Sequence, residues 1–150
     1  MQEIERKFLV DTTKWAQITK SEPKRIAQGY LLNDINKTIR VRTKGEKGYL
    51  TIKGKTVGIS RTEFEYEIPL EEAEQLLKDF TAKSLIKDRY EITLDRHLWE
   101  VDVFYGKLEG MILAEIELRS EDEQFTIPDW ATIEVSEDPA YYNANLIEKC

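Results

Sequence analysis

Sulfur and imidazole are scarce in this 150-residue chain: it has one cysteine, Cys150, and one histidine, His97. A single cysteine excludes an internal disulfide and a thiolate metal cluster, and argues against a cysteine nucleophile. His97 has no acid or second histidine at a familiar metal spacing, so it reads as a loop or strand-surface residue and zinc is not expected. There is no Gly-rich Walker loop, which removes the usual helix-based phosphate cradle. No apolar run approaches the roughly 20 residues that span a bilayer, so no membrane partner is expected. Met1 to Lys7 carry charges where a secretory signal needs an apolar stretch, and a cytoplasmic location is the expectation. Surplus positive charge is missing too. The net charge of −7 argues against non-specific nucleic-acid binding, which depends on a basic surface. An anion bound here would need cations gathered locally.

The chain does contain strands in quantity. From Glu3 to Val10 the residues alternate, with Glu3, Glu5 and Lys7 on one face and Ile4, Phe8 and Val10 on the other; Arg6 is the exception. The same period recurs at Ile39–Arg42, Leu50–Lys53, Arg61–Ile68, Lys87–Ile92, Val101–Val103 and Ala114–Leu118. Turn residues separate the runs: Asn33, Asp34 and Asn36, then Gly45 to Gly48, Gly54 to Gly58, Gly106 and Gly110. Leu70 to Phe80 has helical spacing with acids at its start. Asp11 or Thr12 is placed to cap a short helix through Trp15 and Ile18, and Asp138 or Pro139 to open a last one through Leu146 and Ile147. Trp15, Trp99 and Trp130 read as core or rim packing. No composition shift, proline-rich stretch or repeat marks a boundary, so one domain over residues 1–150 is expected, of α+β class with about eight antiparallel strands. Periodicity leaves an open sheet, a sandwich and a closed barrel all available.

An alternating strand ordinarily turns its charged face to water. The grouping of charges points elsewhere. Arg40 with Arg42, Lys87 with Arg89, and Glu115 with Glu117 set like charges two residues apart on one face, whereas a surface shaped only for solubility intersperses signs. Like charges within reach of each other repel, so a site that holds them expects the opposite charge between them. Closed into a barrel, these faces would bring Lys7, Arg40, Arg42, Lys53, Arg61, Lys87 and Arg89 together with Glu3, Glu5, Glu63, Glu65, Glu115 and Glu117. That inventory suits a polyphosphate and a divalent ion. Oxygen-only ligands favour the hard cations Mg²⁺ or Mn²⁺. Arginine forks hold phosphate oxygens bidentately and lysines act as mobile point charges.

Glu3-Ile4-Glu5-Arg6-Lys7 resembles the ExExK signature that opens CYTH-domain proteins, also called triphosphate tunnel metalloenzymes. Gln28-Gly29-Tyr30-Leu31, Ile39–Arg42, Leu50–Lys53, Ser60–Glu65, Lys87–Tyr90, Val101–Phe104 and Ala114–Glu117 follow in the family's order. The tail from Glu134-Val135 through Asp138, Tyr141 or Tyr142 and Asn143 resembles its closing segment. The resemblance covers nearly the whole chain and is nearest to the short bacterial branch associated with tripolyphosphate hydrolysis. It implies a closed antiparallel eight-stranded β-barrel with a few flanking helices, forming a tunnel. It also implies metal binding by Glu3, Glu5, Glu115 and Glu117, with Glu63 and Glu65 less secure, and phosphate contacts from Lys7, Arg40, Arg42, Lys53, Lys87 and Arg89, with Arg61 a weaker member. Asp102 would orient one of the cations. Lys7 and Tyr30 would be catalytic, though a core tyrosine on a strand is an equal reading of Tyr30. Glu67 would lie at the rim.

The expected activity is metal-dependent hydrolysis of a small-molecule triphosphate, inorganic tripolyphosphate first, with ATP and thiamine triphosphate as further substrates to compare. An adenylate cyclase making cyclic AMP from ATP is the alternative within the family. A non-catalytic polyphosphate-binding module is the alternative outside enzymology, and a scaffold with solvated strand faces is the blandest. The oligomeric state stays open, a homodimer included.

Overall fold

The computed structural model describes residues 1–150. Nine strands form: β1 (Gln2–Val10), β2 (Lys24–Asp34), β3 (Lys37–Lys44), β4 (Lys47–Gly54), β5 (Ser60–Ile68), β6 (Leu85–Leu94), β7 (His97–Phe104), β8 (Ile112–Leu118) and β9 (Ala131–Glu134). All their pairings are antiparallel, in the order β5-β4-β3-β2-β6-β7-β8-β1. The ring of eight closes because the start of β1 pairs with the start of β5, Gln2 opposite Thr62, Glu3 opposite Arg61 and Ile4 opposite Ser60. The Glu63 N–H donates to the Met1 carbonyl across the same seam, at 2.9 Å. The ninth strand extends the expected eight: β9 pairs with the far half of β1, Phe8 opposite Glu134 and Val10 opposite Ala131.

Alternation within the ring sorts the side chains into a charged inside and an apolar outside. Phe8, Trp99, Val101, Ala114 and Ile116 are buried on the outer face of β1, β7 and β8. Helix α1 (Thr12–Gln17) covers them; the Asp11 carboxylate starts it by accepting from the Lys14 N–H at 2.9 Å. It delivers Trp15 edge-on to Trp130 and Tyr90, with ring centroids 5.7 and 5.4 Å apart. Arg6, the odd residue of the alternation, lies outside as well, donating to Glu134 on β9 at 2.8 Å and covering the Phe125 ring. Helix α2 (Leu70–Phe80), over the residues its periodicity marks, packs outside β3 and β4. It sits so close that a Cβ on Gly48 would stand 2.6 Å from the Ala73 Cβ, so the approach requires glycine there.

A second apolar group closes one end of the ring from within. Phe104 lies on the inward face two residues after Asp102, and Leu113 two residues before Glu115, and with Leu85 they meet Leu146 and Ile147 of the C-terminal segment. That segment differs from the single helix expected. Asp138 does act as a cap, accepting from the Ala140 N–H at 3.0 Å, but only for a 3₁₀ turn over Pro139–Tyr141. Tyr142 is extended, with ψ 135°, and breaks the helix before the four residues of α3 (Asn143–Leu146).

Candidate active site

Register places the expected residues on the inward face of the ring. Lys7 stands opposite Glu115 and Glu5 opposite Glu117 across β1 and β8. Glu3 faces Arg61 across the seam, Lys53 faces Glu63, and Arg89 faces Asp102. Tyr30 faces Arg40 across β2 and β3. A Cβ added to Gly29, between Gln28 and Tyr30, would stand 2.9 Å from Thr81 and from the Lys83 carbonyl outside the ring, and the alternation sets its two neighbours inward.

The cations fall into two groups by their partners. Lys87 and Arg89 are already engaged by one buried carboxylate: Asp102 accepts from Arg89 Nε at 2.7 Å and Nη2 at 2.8 Å, and its Oδ2 lies 2.8 Å from Lys87 Nζ. Burial would raise the pKa of Asp102, but Arg89 and then Lys87 outweigh it and hold the carboxyl well below its ordinary value. Burial pulls Lys87 down to about 8 against the pull of Asp102. The other group is under-engaged. Arg40 and Arg42 share one carboxylate, Glu65, at 3.5 Å each, and the buried Nε atoms of Arg40, Arg42 and Arg61 have no hydrogen-bond partner. Burial first, and then Arg40 beside it, lower the Arg42 pKa to about 10. Buried donors left without acceptors cost stability, and an anion would satisfy them.

The carboxylates divide too. Glu3 accepts from Lys53 at 2.9 Å, and Lys53 also lies 3.2 Å from Glu63. Glu115 lies 3.8 Å from Lys7 and 3.9 Å from Arg89. Glu65 accepts from Thr51 at 2.7 Å and stands 3.5 Å from both Arg40 and Arg42. Glu5 and Glu117 face each other with no cation in ion-pair contact. Burial, then Glu115 and Glu3, raise the Glu5 pKa to about 8; burial, then Glu3, raise that of Glu117. No three carboxylates converge at metal-ligating distance in this arrangement. Glu67 lies at the exposed rim beside Lys47. His97 bonds to Glu123 at 2.7 Å, at the start of β7.

An inner cavity of about 50 Å³ is lined by Glu5, Lys7, Tyr30, Arg40, Lys53 and Arg61, with Tyr142 and Asn143 from the C-terminal segment. Through Thr38, Thr56, Arg61 and Tyr142 it adjoins a vestibule of about 530 Å³. Lys7 donates from Nζ to the Tyr141 carbonyl at 2.9 Å, and its own N–H donates to Ser136 Oγ at 3.0 Å. Three residues of this region were not expected as site residues from the sequence. Thr51 braces Glu65, Glu100 lies 3.3 Å from Arg89, and Gln28 is fully buried with both amide atoms unpartnered. The two-residue inward spacing from Tyr30 to Gln28, and from Asp102 to Glu100, was the available signal.

A model of the CYTH domain matches residues 1–150. An inorganic triphosphatase of Acetivibrio thermocellus is 46% identical over 147 residues, covering 97% of this chain and 93% of the relative. One of Nitrosomonas europaea is 38% identical over 150 residues, covering 97% of each. The crystal structure of the inorganic triphosphatase NE1496 superposes with a TM-score of 0.66 at 34% identity, covering 97% of this chain and 93% of that one.

Proposed function

Because the chain belongs to the CYTH-domain family, we propose that it is an inorganic triphosphatase, hydrolysing tripolyphosphate to diphosphate and orthophosphate within its ring of strands. The observation that carries this reading is the set of buried, partnerless Nε atoms of Arg40, Arg42 and Arg61, three residues on the inward face of a ring that acids also line. A scaffold with solvated faces has no use for them. A simple anion binder gains nothing from facing Glu5 to Glu117.

In this reading Arg40, Arg42, Arg61 and Lys7 grip the phosphate chain. Lys53 stands between Glu3 and Glu63 and moves charge between acids and ligand. Lys87 and Arg89, tied to Asp102, frame the tunnel more than they reach into it. Lys7 and Tyr30 flank the inner cavity, where Lys7 stabilises charge on the oxygen that leaves. A water oxygen attacks the terminal phosphorus, the bridging P–O bond breaks, its electron pair departs with diphosphate, and the proton lost by the attacking water is taken up by the phosphate products or by solvent. Positioning and electrostatics supply most of the acceleration.

Family triphosphatases depend on a divalent metal, and the donor chemistry here fits one: Glu5 and Glu117 are oxygen donors with no cation between them. We assign Mg²⁺ or Mn²⁺ to this pair, with Glu3 and Glu115 able to join once their lysines engage phosphate, Glu63 as a further ligand and Glu65 a weaker one. When bound, such an ion offsets phosphoryl charge and acidifies water.

This assignment has a pH signature. Glu5 is raised in the folded state, so its contribution to stability is full below its unfolded value and lost as pH rises through about 8. In chelator, Tm should fall between roughly pH 5 and pH 8; with saturating Mg²⁺ or Mn²⁺, which favours the ionised carboxylate, the fall should be smaller. Parallel curves with and without metal would remove Glu5 from the metal site.

The activity itself is tested by phosphate release from tripolyphosphate, ATP and thiamine triphosphate, each with Mg²⁺, Mn²⁺ or chelator. Metal-dependent turnover with tripolyphosphate preferred is the expected result. Cyclic AMP from ATP with no phosphate release would replace the hydrolase by a cyclase, and metal-free polyphosphate binding without turnover would replace it by a binding module.

A further inference from the structure

Lys7 and Lys87 have equal standing as cations of alternating strands, but their surroundings separate them. Lys87 is fully buried, its Nζ is 2.8 Å from Asp102, and it does not line the inner cavity. Its one contact toward that cavity is a hydrogen bond of 3.4 Å to Asn143 Oδ1 on the C-terminal segment. An ammonium can only donate, so Lys87 fixes which end of the Asn143 carboxamide faces it. The oxygen turns toward Lys87 and the N–H₂ group turns away. Asn143 itself lines the cavity with Lys7, Tyr30 and Arg40.

We infer that Asn143 is a phosphate-contacting residue: its side-chain N–H group donates to a phosphoryl oxygen in the inner cavity, while Lys87 holds its oxygen and so sets its direction. The inference rests on the triphosphatase reading and adds a ligand group from outside the ring of strands. The segment that presents Asn143 is tied down on both sides. Asn33 Nδ2 donates to the Ala144 carbonyl at 2.8 Å, and Lys83 Nζ to the Glu148 carbonyl at 2.8 Å. Lys7 is anchored to the same segment through Tyr141. A neutral donor at this position lengthens the grip on phosphate without adding to the mutual repulsion of Arg40 and Arg42.

Asn143→Asp and Asn143→Ala separate a ligand contact from a purely structural one. Aspartate still accepts from Lys87, and as an ion does so more strongly, but it offers phosphate a negative charge in place of a donor. Alanine loses both contacts. Tripolyphosphate affinity would be measured by calorimetry in chelator, with KM and kcat from phosphate release in metal and Tm from thermal melts. A ligand contact predicts that Asn143→Asp raises Kd and KM about 10-fold or more, leaves kcat within about 3-fold and keeps Tm at or above that of the parent, with Asn143→Ala between the two. A structural role predicts the reverse order, alanine worse than aspartate, and that order would overturn the inference, as would an aspartate variant that binds like the parent. Failure of the parent protein itself to bind or hydrolyse tripolyphosphate would instead bring down the triphosphatase reading and this inference with it.

Discussion

Asp102→Ala is expected to cost the fold about 3–5 kcal/mol and to abolish turnover with it. Asp102 is 1% exposed and is the only ion-pair partner of Lys87 and the bidentate partner of Arg89. Removing it leaves two buried cations, and the remaining ion-pair contacts, Glu115 at 3.9 Å and Glu100 at 3.3 Å, are both with Arg89. Burial already draws the Lys87 pKa down to about 8; without Asp102 the group would sit neutral or leave the interior. The sign of the pH effect follows from the depressed carboxyl. A group whose folded pKa is lowered stabilises above its unfolded value and loses that contribution as pH falls through the folded one, so the full penalty should appear at neutral pH. Urea denaturation at pH 7 measures it. Asp102→Asn, which keeps one acceptor, should lie between the parent and Asp102→Ala. A midpoint for Asp102→Ala within experimental error of the parent would show that Lys87 and Arg89 do not depend on this clamp.

That clamp also shows where reading the sequence stops. Spacing alone put Glu3, Glu5 and Lys7 on one face, did the same for Arg40 with Arg42 and for Glu115 with Glu117, and marked Leu70–Phe80 as a helix, because a period of two or 3.6 is a local property of the chain. Which cation meets which anion is not local. It depends on cross-strand register, so Lys87 and Arg42 look alike in sequence and differ completely in the fold, one held by Asp102 and the other left with a bare Nε. Strand β2 was legible only through the family resemblance, since Lys24 to Gly29 interleaves apolar and polar residues on the same inward face, Ile26 beside Gln28. The turn between β6 and β7 was hidden for another reason. Asp95 and Arg96 adopt φ of 48° and 71°, values that sequence reading assigns to glycine or asparagine; the Asp95 carboxylate is braced there by the Thr126 hydroxyl at 2.7 Å. Asn143 was legible as part of a closing segment, but its aim into the cavity depends on Lys87 and could not be read from its neighbours.

Arg42→Met tests the opposite kind of buried charge, one whose strain the ligand relieves. Arg42 has Glu65 as its only ion-pair partner, at 3.5 Å and shared with Arg40; its guanidinium lies 5.7 Å from the Tyr49 ring centroid, and its Nε is buried without a hydrogen-bond partner. Burial lowers its pKa to about 10, which places the cost of keeping it charged at neutral pH on the order of 3 kcal/mol. Methionine fills a similar volume and removes that cost, so Tm should stay level or rise by a few degrees even as a polar contact to Glu65 is lost. Activity should move the other way. A guanidinium that gains its missing acceptor only when phosphate arrives contributes to the ligand-bound state and not to the empty one, and its loss should lower kcat/KM for tripolyphosphate by about 100-fold or more. The stabilisation that tripolyphosphate gives the parent in a thermal melt should shrink in parallel. Asp102 and Arg42 therefore separate two uses of buried charge in one ring, since the first substitution should lose stability and activity together and the second should trade activity for stability. If Arg42→Met lost both, Arg42 would belong with Arg89 as part of the frame, and the grip on phosphate would fall to Arg40, Arg61 and Lys7.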